Sequence, residues 1–235
     1  MFLSDDFIKT FAPLQDAILD ELLEKGFYRY GNEMFTTNYI LLDDKLMDVF
    51  WLRTCVQNVV LSKASKQILK NAKKFSIHLV GSTITDEVEE LYSLYRNSVS
   101  FSTSESVAYY LHGTEKKQHF NTKQFQIRDK EKLIAVGYFD VGNNSLAGIL
   151  NFYNPEYKKY SLGKMLMLNK YMYAKNFNMK YYYTGYFAVQ SNRFDYKFFP
   201  DPNAIQVYNP YEEKWFNLKQ YDILNEVLLE KKINI

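Results

Sequence analysis

LAGILNFYNPEYKKYSLGKMLMLNKYMYAKNFNMKYYYTGYFAVQSNRFDYK, residues 146–197, spells out a strand, a polar loop, a lysine-studded helix and a second strand. The first strand, Leu146 to Tyr153, is apolar and aromatic. The helix is capped near Ser161, and Leu162, Met165, Leu166, Met172, Tyr173 and Phe177 recur at helical spacing as its apolar stripe. A methionine stripe of this kind is core material. The second strand, Lys180 to Tyr186, ends at Thr184-Gly185-Tyr186, and a polar segment then closes on Asp195-Tyr196-Lys197. Such a unit brings loop N–H groups and a helix N-terminus to one end of a sheet, a place suited to an anionic group.

Working outward, Lys132–Asp140 and Ser145–Tyr153 predict a hairpin over Gly142-Asn143-Asn144. Further upstream the pattern predicts a helix over Pro13–Lys25 stopped by Gly26, short antiparallel strands between Phe27 and Leu52 around Gly31-Asn32, and one more short strand at Val56–Leu61. A helix at Ser62–Phe75, a strand at Ile77–Val80 and a helix at Asp86–Arg96 follow. Downstream, Asp201–Trp215 reads as irregular or short-stranded and Asn217–Lys231 as a closing helix. A boundary near Val80 would divide an N-terminal α+β portion, residues 1–80, from a sheet domain, residues 81–235.

The helix at Ser62–Phe75 divides its faces by charge. At about 100° per residue, Lys63, Lys66, Lys70, Lys73 and Lys74 fall within an arc of about 100°, with Ala64, Ile68, Ala72 and Phe75 opposite. No acid stands four residues away to relieve the repulsion, so a phosphate backbone is the natural counterpart. The net charge of the chain is only +2, which makes this local clustering the informative quantity.

Composition removes several classes of function. The 235 residues include one cysteine, Cys55, and three scattered histidines, so neither a disulfide framework nor a structural zinc site is expected. Cys55 sits in an apolar, strand-like run with no histidine nearby, the setting of a buried thiol and not of a nucleophile. The nucleophile elbow, the phosphate-binding loop, the H-E-x-x-H helix and the dinucleotide fingerprint are all missing. The opening MFLSDDFIK lacks the character of a signal peptide, and no run of about 18 apolar residues occurs. The expectation is a cytoplasmic protein with no membrane partner and no metal.

The topology suits the GNAT-like superfamily, giving a mixed, largely antiparallel sheet flanked by helices in an α+β fold. The loop KKYSLGK at 158–164 keeps one glycine but lacks the glutamine or arginine and the second small residue with which GNAT-type acyltransferases wrap coenzyme A. Four blocks in order then resemble the aminoacyl-tRNA–protein transferases, the arginyl- and leucyl-transferases that act on proteins with acidic N-termini. Leu133-Ile134-Ala135-Val136 with Asp140-Val141 is similar to the family's hairpin strand. Asn151-Phe152-Tyr153-Asn154-Pro155 with Ser161-Leu162-Gly163 resembles its aromatic and Ser-Leu-Gly signature. Gly185-Tyr186-Phe187 with Tyr196-Lys197 resembles its Gly-Tyr-aromatic and Tyr-Lys signature. Ser62-Lys63 with Lys66, Leu69 and Lys70, and Leu94-Tyr95-Arg96, are similar to its basic and tyrosine-rich helices. The family's N-terminal cysteines are absent, which removes the metal or redox role attached to them and leaves the acceptor preference open.

The resemblance implies transfer of arginine or leucine from charged tRNA to the N-terminal α-amine of an acceptor protein, with aminoacyl-tRNA as co-substrate and no cofactor. It implies catalytic roles for Tyr186, Asn151 and Gln190. Substrate contacts would come from Tyr153, Asp140, Arg193, Tyr196 and Lys197, with Lys197 or Arg193 meeting the terminal nucleotide or an acidic acceptor residue. Tyr153 and Tyr196 are otherwise sheet-packing tyrosines, and Asp140 is otherwise a hairpin cap. The tRNA arm would lie along Lys63, Lys66, Lys70 and Lys74, joined by Lys158, Lys159 and Lys164. Two other readings keep the fold: an inactive RNA- or peptide-binding module, and an acyl-coenzyme A acetyltransferase.

Overall fold

The structure is a computed structural model that describes residues 7–9, 12–115 and 117–221. In chain order, strand β1 (Phe7–Lys9) precedes helix α1 (Asp16–Glu24), and a small antiparallel sheet is completed by β2 (Tyr28–Tyr30) and β3 (Glu33–Phe35) around the predicted Gly31-Asn32 turn. Strands β4 (Tyr39–Leu42) and β5 (Lys45–Cys55) form a hairpin. Helix α2 (Lys63–Ala72), β6 (Ser76–Gly81), α3 (Asp86–Ser98) and α4 (Val107–His112) lead into β7 (Thr122–Asp129), β8 (Lys132–Val141) and β9 (Ser145–Tyr153). Helix α5 (Leu162–Asn176), β10 (Tyr181–Ala188), β11 (Ile205–Asn209) and β12 (Lys214–Asn217) follow.

Helix starts follow side-chain capping. Ser62, Thr85 and Ser106 each accept a hydrogen bond from the backbone N–H three residues on, opening α2, α3 and α4. Ser161 departs from this rule. It adopts a left-handed conformation (φ 55°) at the start of α5 and makes no side-chain cap.

The main sheet has nine strands in the order β12-β11-β5-β10-β9-β8-β7-β6, with β4 attached to β5. All neighbours run antiparallel except β9 and β10, whose connection through α5 makes them parallel. Helices cover both faces. One core holds α1, α3, α4 and the small sheet, with Leu23, Trp51, Leu91, Tyr92, Tyr138 and Phe152. The other holds α5 and α2, with Leu162, Met165, Leu166, Phe139 and Tyr182. The expected α+β fold, a mixed and largely antiparallel sheet between helices, is what the chain adopts.

Five expectations are corrected. Residue 80 is no domain boundary, because β5 from the N-terminal portion lies inside the main sheet between β10 and β11. Val56–Asn58 is a 3-10 turn, since β5 runs on to Cys55 and uses up the strand predicted there. On α2, Ala64 is exposed and Ser65 is buried with Ala72. Phe177, expected on the stripe of α5, follows the helix's last residue and is exposed. The predicted closing helix begins on Asn217, which ends β12; residues 218–220 form a 3-10 turn and 222–231 lie outside the described residues.

Candidate functional site

The parallel pair β9 and β10 is joined at only three positions, Tyr181 with Ser145, Tyr182 with Leu146 and Tyr183 with Ala147, and then parts. The parting coincides with an extra residue in β10. Tyr183 opposes Arg53 and Gly185 opposes Leu52, so Thr184 is unmatched and the strand bends away, as a bulge does. Gly185 has φ 89°, and a Cβ there would lie 3.0 Å from the Lys197 ammonium and 3.6 Å from the Tyr28 ring. Only glycine fits both the dihedral and the space.

Side chains cap the carbonyls where the strands part. The Tyr28 hydroxyl donates to Gly148 O and stands 3.4 Å from Tyr183 O, bridging the two strands. Tyr110 OH donates to Ile149 O at 3.2 Å, and Lys197 Nζ donates to Tyr186 O at 2.7 Å. Tyr186 itself packs edge-on against Trp51, with ring centres 5.4 Å apart, and against Phe194 at 5.2 Å.

Tyr196, on the segment after β10, is exposed over nearly half its surface. Its electrostatic reach takes in Tyr28, Tyr110 and Tyr182, and it feels Tyr95 and Tyr186 in turn. Burial pushes the Tyr186 phenol up to about 12 and, with Tyr153 and Tyr92 adding to it, Tyr95 up to about 12 as well. These phenols stay protonated at neutral pH and serve as neutral hydrogen-bond donors.

Two buried lysines flank the parting strands. Lys197 is nearly enclosed; its Nζ lies 4.6 Å from the centre of the Tyr186 ring and 5.1 Å from that of Phe194. Burial brings its pKa down to about 7. Lys170, on α5, is fully buried and donates to Tyr138 O at 2.6 Å, Asn151 Oδ1 at 2.8 Å and Leu150 O at 3.5 Å. Burial lowers it to about 7 too, with Asp140 acting weakly the other way. Among the described residues neither lysine is paired with a carboxylate. Lys170 is the site residue that the sequence reading missed. It follows Leu166 by four residues and precedes Tyr173 by three, so a charge on the apolar stripe was the available signal.

The other predicted residues separate. Asn151 meets Lys170, and Tyr153 lies half-buried with its ring 5.6 Å from Tyr95. Gln190 and Arg193 line a cleft of about 540 Å³ with Asp43, Lys45 and Met47. Gln190 donates to Asp48 at 3.2 Å, and Arg193 pairs with Asp43 at 2.8 Å while its Nη1 is enclosed with no hydrogen-bond partner among the described residues. Met47 belongs to the same small apolar cluster as Tyr186 and Phe194, which joins this cleft to the tyrosine site. Asp140 is corrected on both counts. Its carboxylate is fully buried, paired with Arg29 at 2.7 Å and bonded by Thr122 at 2.6 Å, so it is closed to a substrate amine and caps no hairpin. It ties β2 to β8.

Lys63, Lys66, Lys70 and Lys74 are exposed, as are Lys158, Lys159 and Lys164. The two groups adjoin, because Lys74 and Lys159 lie 5.5 Å and 5.2 Å from the centre of the same Tyr160 ring. Burial raises the pKa of Cys55, which disfavours a thiolate there. Among the described residues no cluster of three or more His, Cys, Asp or Glu is placed to hold a metal, and no helix is long and apolar enough to cross a membrane.

Residues 87–207 match the family model described as arginine-tRNA-protein transferase, C terminus. The aspartate/glutamate leucyltransferase of Leptospira interrogans is 28% identical over 222 residues, covering 90% of this chain and 84% of that protein. The enzyme of the same description from Helicobacter hepaticus is 26% identical over 182 residues, 75% of this chain and 73% of that one. Among solved structures, the C-terminal domain of a putative lysylphosphatidylglycerol synthetase from Agrobacterium fabrum superimposes with a TM-score of 0.47 at 10% identity, over 76% of this chain and 54% of that one.

Proposed function

This chain belongs to the arginine-tRNA–protein transferase family, and from that premise we propose that it moves leucine from charged tRNA to the α-amine of proteins beginning with Asp or Glu. The choice of leucine is supported by relatives described as leucyltransferases that span most of this chain. The placement of the reaction rests on one observation: Lys197 is a buried ammonium with, among the described residues, a single backbone acceptor, set against Gly185 and the rings of Tyr186 and Phe194.

The chemistry fits a site of donors without a nucleophile. The acceptor's neutral amine adds to the ester carbonyl carbon, the carbonyl electrons pass to oxygen, and collapse breaks the bond to the ribose oxygen. That oxygen leaves with the proton the amine gives up. Because the ester arrives activated, no covalent enzyme intermediate and no cofactor are needed. Position and oxyanion stabilisation are the enzyme's share. Tyr186 and Asn151 would contact the aminoacyl ester, Lys197 the electron-rich oxygens of the ester or terminal nucleotide, and Tyr196 and Tyr153 would wall the cleft. Arg193, with Gln190 beside it, would meet the acidic first residue of the acceptor. The acceptor arm of tRNA would follow the joined lysine surfaces from Lys63 to Lys74 and on to Lys158, Lys159 and Lys164. With charged tRNA as the substrate, the reaction would run in the cytoplasm.

The test is transfer of radiolabel from leucyl-tRNA or arginyl-tRNA to peptides that begin with Asp, Glu or Ala. Label from leucyl-tRNA on the Asp and Glu peptides alone is the expected outcome. Label from arginyl-tRNA only would reassign the donor, and no label from either would overturn the reading.

A further inference from the structure

We infer that Lys170 is a positioning residue that holds the Asn151 side chain with its amide N–H₂ turned toward the parting strands, as a fixed donor for the oxyanion. The inference rests on the transferase reading above. An ammonium has three N–H donors and no acceptor. The three acceptors around Lys170 are Tyr138 O, Leu150 O and Asn151 Oδ1, so every donor is matched and none remains for substrate. In its ammonium form Lys170 is donor-only, which fixes which end of the Asn151 amide faces it. Oxygen must point to Lys170, so Nδ2 points away, and among the described residues Nδ2 has no protein partner.

Two neighbours make the arrangement specific. Asn151 stands opposite Gly137 across the β8–β9 ladder, and a Cβ on Gly137 would come within 2.7 Å of Asn151 Oδ1 and 3.2 Å of Lys170 Cε. Any side chain at 137 would push the two apart. The β8–β9 register shifts just beyond Tyr138, close to the two carbonyls the ammonium takes. Lys170 therefore reaches from α5 across a glycine gap to a half-buried amide on β9, four residues beyond Ala147, where β9 and β10 part.

A bare structural bond and a positioning bond differ in what they leave intact. Asn151→Asp keeps an acceptor for Lys170 and loses only the outward N–H₂. Its melting temperature should hold while kcat falls by about 10²-fold, the usual loss for one oxyanion donor, with KM for leucyl-tRNA little changed. Lys170→Met should lower kcat by no more than that, and its effect should vanish in the Asn151→Ala background, because the lysine acts only through the asparagine. Gly137→Ala separates the pair without changing either side chain and should give the same loss as Lys170→Met. A further readout does not depend on turnover. The side-chain amide resonance of Asn151, assigned by its absence in Asn151→Asp, should shift in Lys170→Met.

Full kcat in Asn151→Asp, or a Lys170→Met loss that persists in the Asn151→Ala background, would overturn the inference even if one of the variants fails to fold. Wild-type protein supplies the control for the underlying reading. A silent wild type with a shifted resonance would overturn the reaction assignment and with it the oxyanion role, while an active wild type with an unmoved resonance would overturn the role of Lys170 alone.

Discussion

Lys170 and Lys197 are two buried ammonium groups on either side of the same parting strands, and they are bonded in opposite ways. Lys170 spends all three donors on protein oxygens, while Lys197 has one backbone oxygen and two aromatic rings. Burial lowers both to about 7, so the difference lies in geometry and not in titration. A saturated cation is part of the frame. A cation that, among the described residues, has donors to spare in a site of neutral phenols is suited to something electron-rich. Leaving a buried charge short of partners costs stability, a cost often found where a ligand supplies the missing contacts.

The comparison is broken most sharply at Gly185. Gly185→Ala places a methyl 3.0 Å from Lys197 Nζ at a positive φ, and it leaves the Lys170 triad untouched. We expect a loss of about 1 kcal/mol or more in stability and at least about a tenfold drop in kcat/KM for transfer. Retained activity with a normal melting temperature would show that Lys197 need not sit where it does.

The exposed lysines sharpen the contrast from outside. Lys63→Ala, Lys66→Ala and Lys70→Ala together should weaken tRNA binding and reduce the slope of log affinity against log salt by about 2. Single-turnover rates at saturating charged tRNA should not move, because on the proposed reading these groups would meet phosphate and not the ester. Unchanged affinity at low salt would place the tRNA elsewhere.

A smaller effect concerns stability against pH. A lysine whose folded pKa lies near 7 binds fewer protons folded than unfolded between pH 7 and the ordinary lysine range, so stability should rise with pH across that window. The slope from each lysine approaches about 1.4 kcal/mol per pH unit. Above the ordinary tyrosine range the sign reverses, since the raised phenols stay protonated in the folded state and ionise on unfolding. Denaturant titrations at several pH values should show the rise, shallower in Lys197→Met than in wild type. An equal rise in both would remove Lys197 as its source.

How far the sequence reaches depends on the distance over which each feature is set. The hairpin at 132–153, helix α5 and strand β10 were legible, because period, turn residues and caps are local. The lysine face of α2 was legible for the same reason, as the exposure of Lys63, Lys66, Lys70 and Lys74 bears out. The false boundary at residue 80 arose because the pairing of β5 with β10 and β11 joins residues more than a hundred apart, and no local pattern records it. The misreading of Asp140 has the same origin, since its partner Arg29 lies in a different strand of a different sheet. Lys170 was overlooked because its three acceptors are on β8 and β9, which the helical wheel of α5 cannot show.

On the proposed reading, Lys197 binds the reacting end of the charged tRNA as a cation. The direct measurement is single-turnover transfer from leucyl-tRNA to an Asp-initiated peptide by wild type and Lys197→Met, as a ratio from pH 6 to 9. Taking the ratio removes the titration of the acceptor amine, which both enzymes share. The expected ratio is about 10² at the acid end and declines as pH rises past 7 and the ammonium is lost. A ratio near one at every pH would contradict the claim.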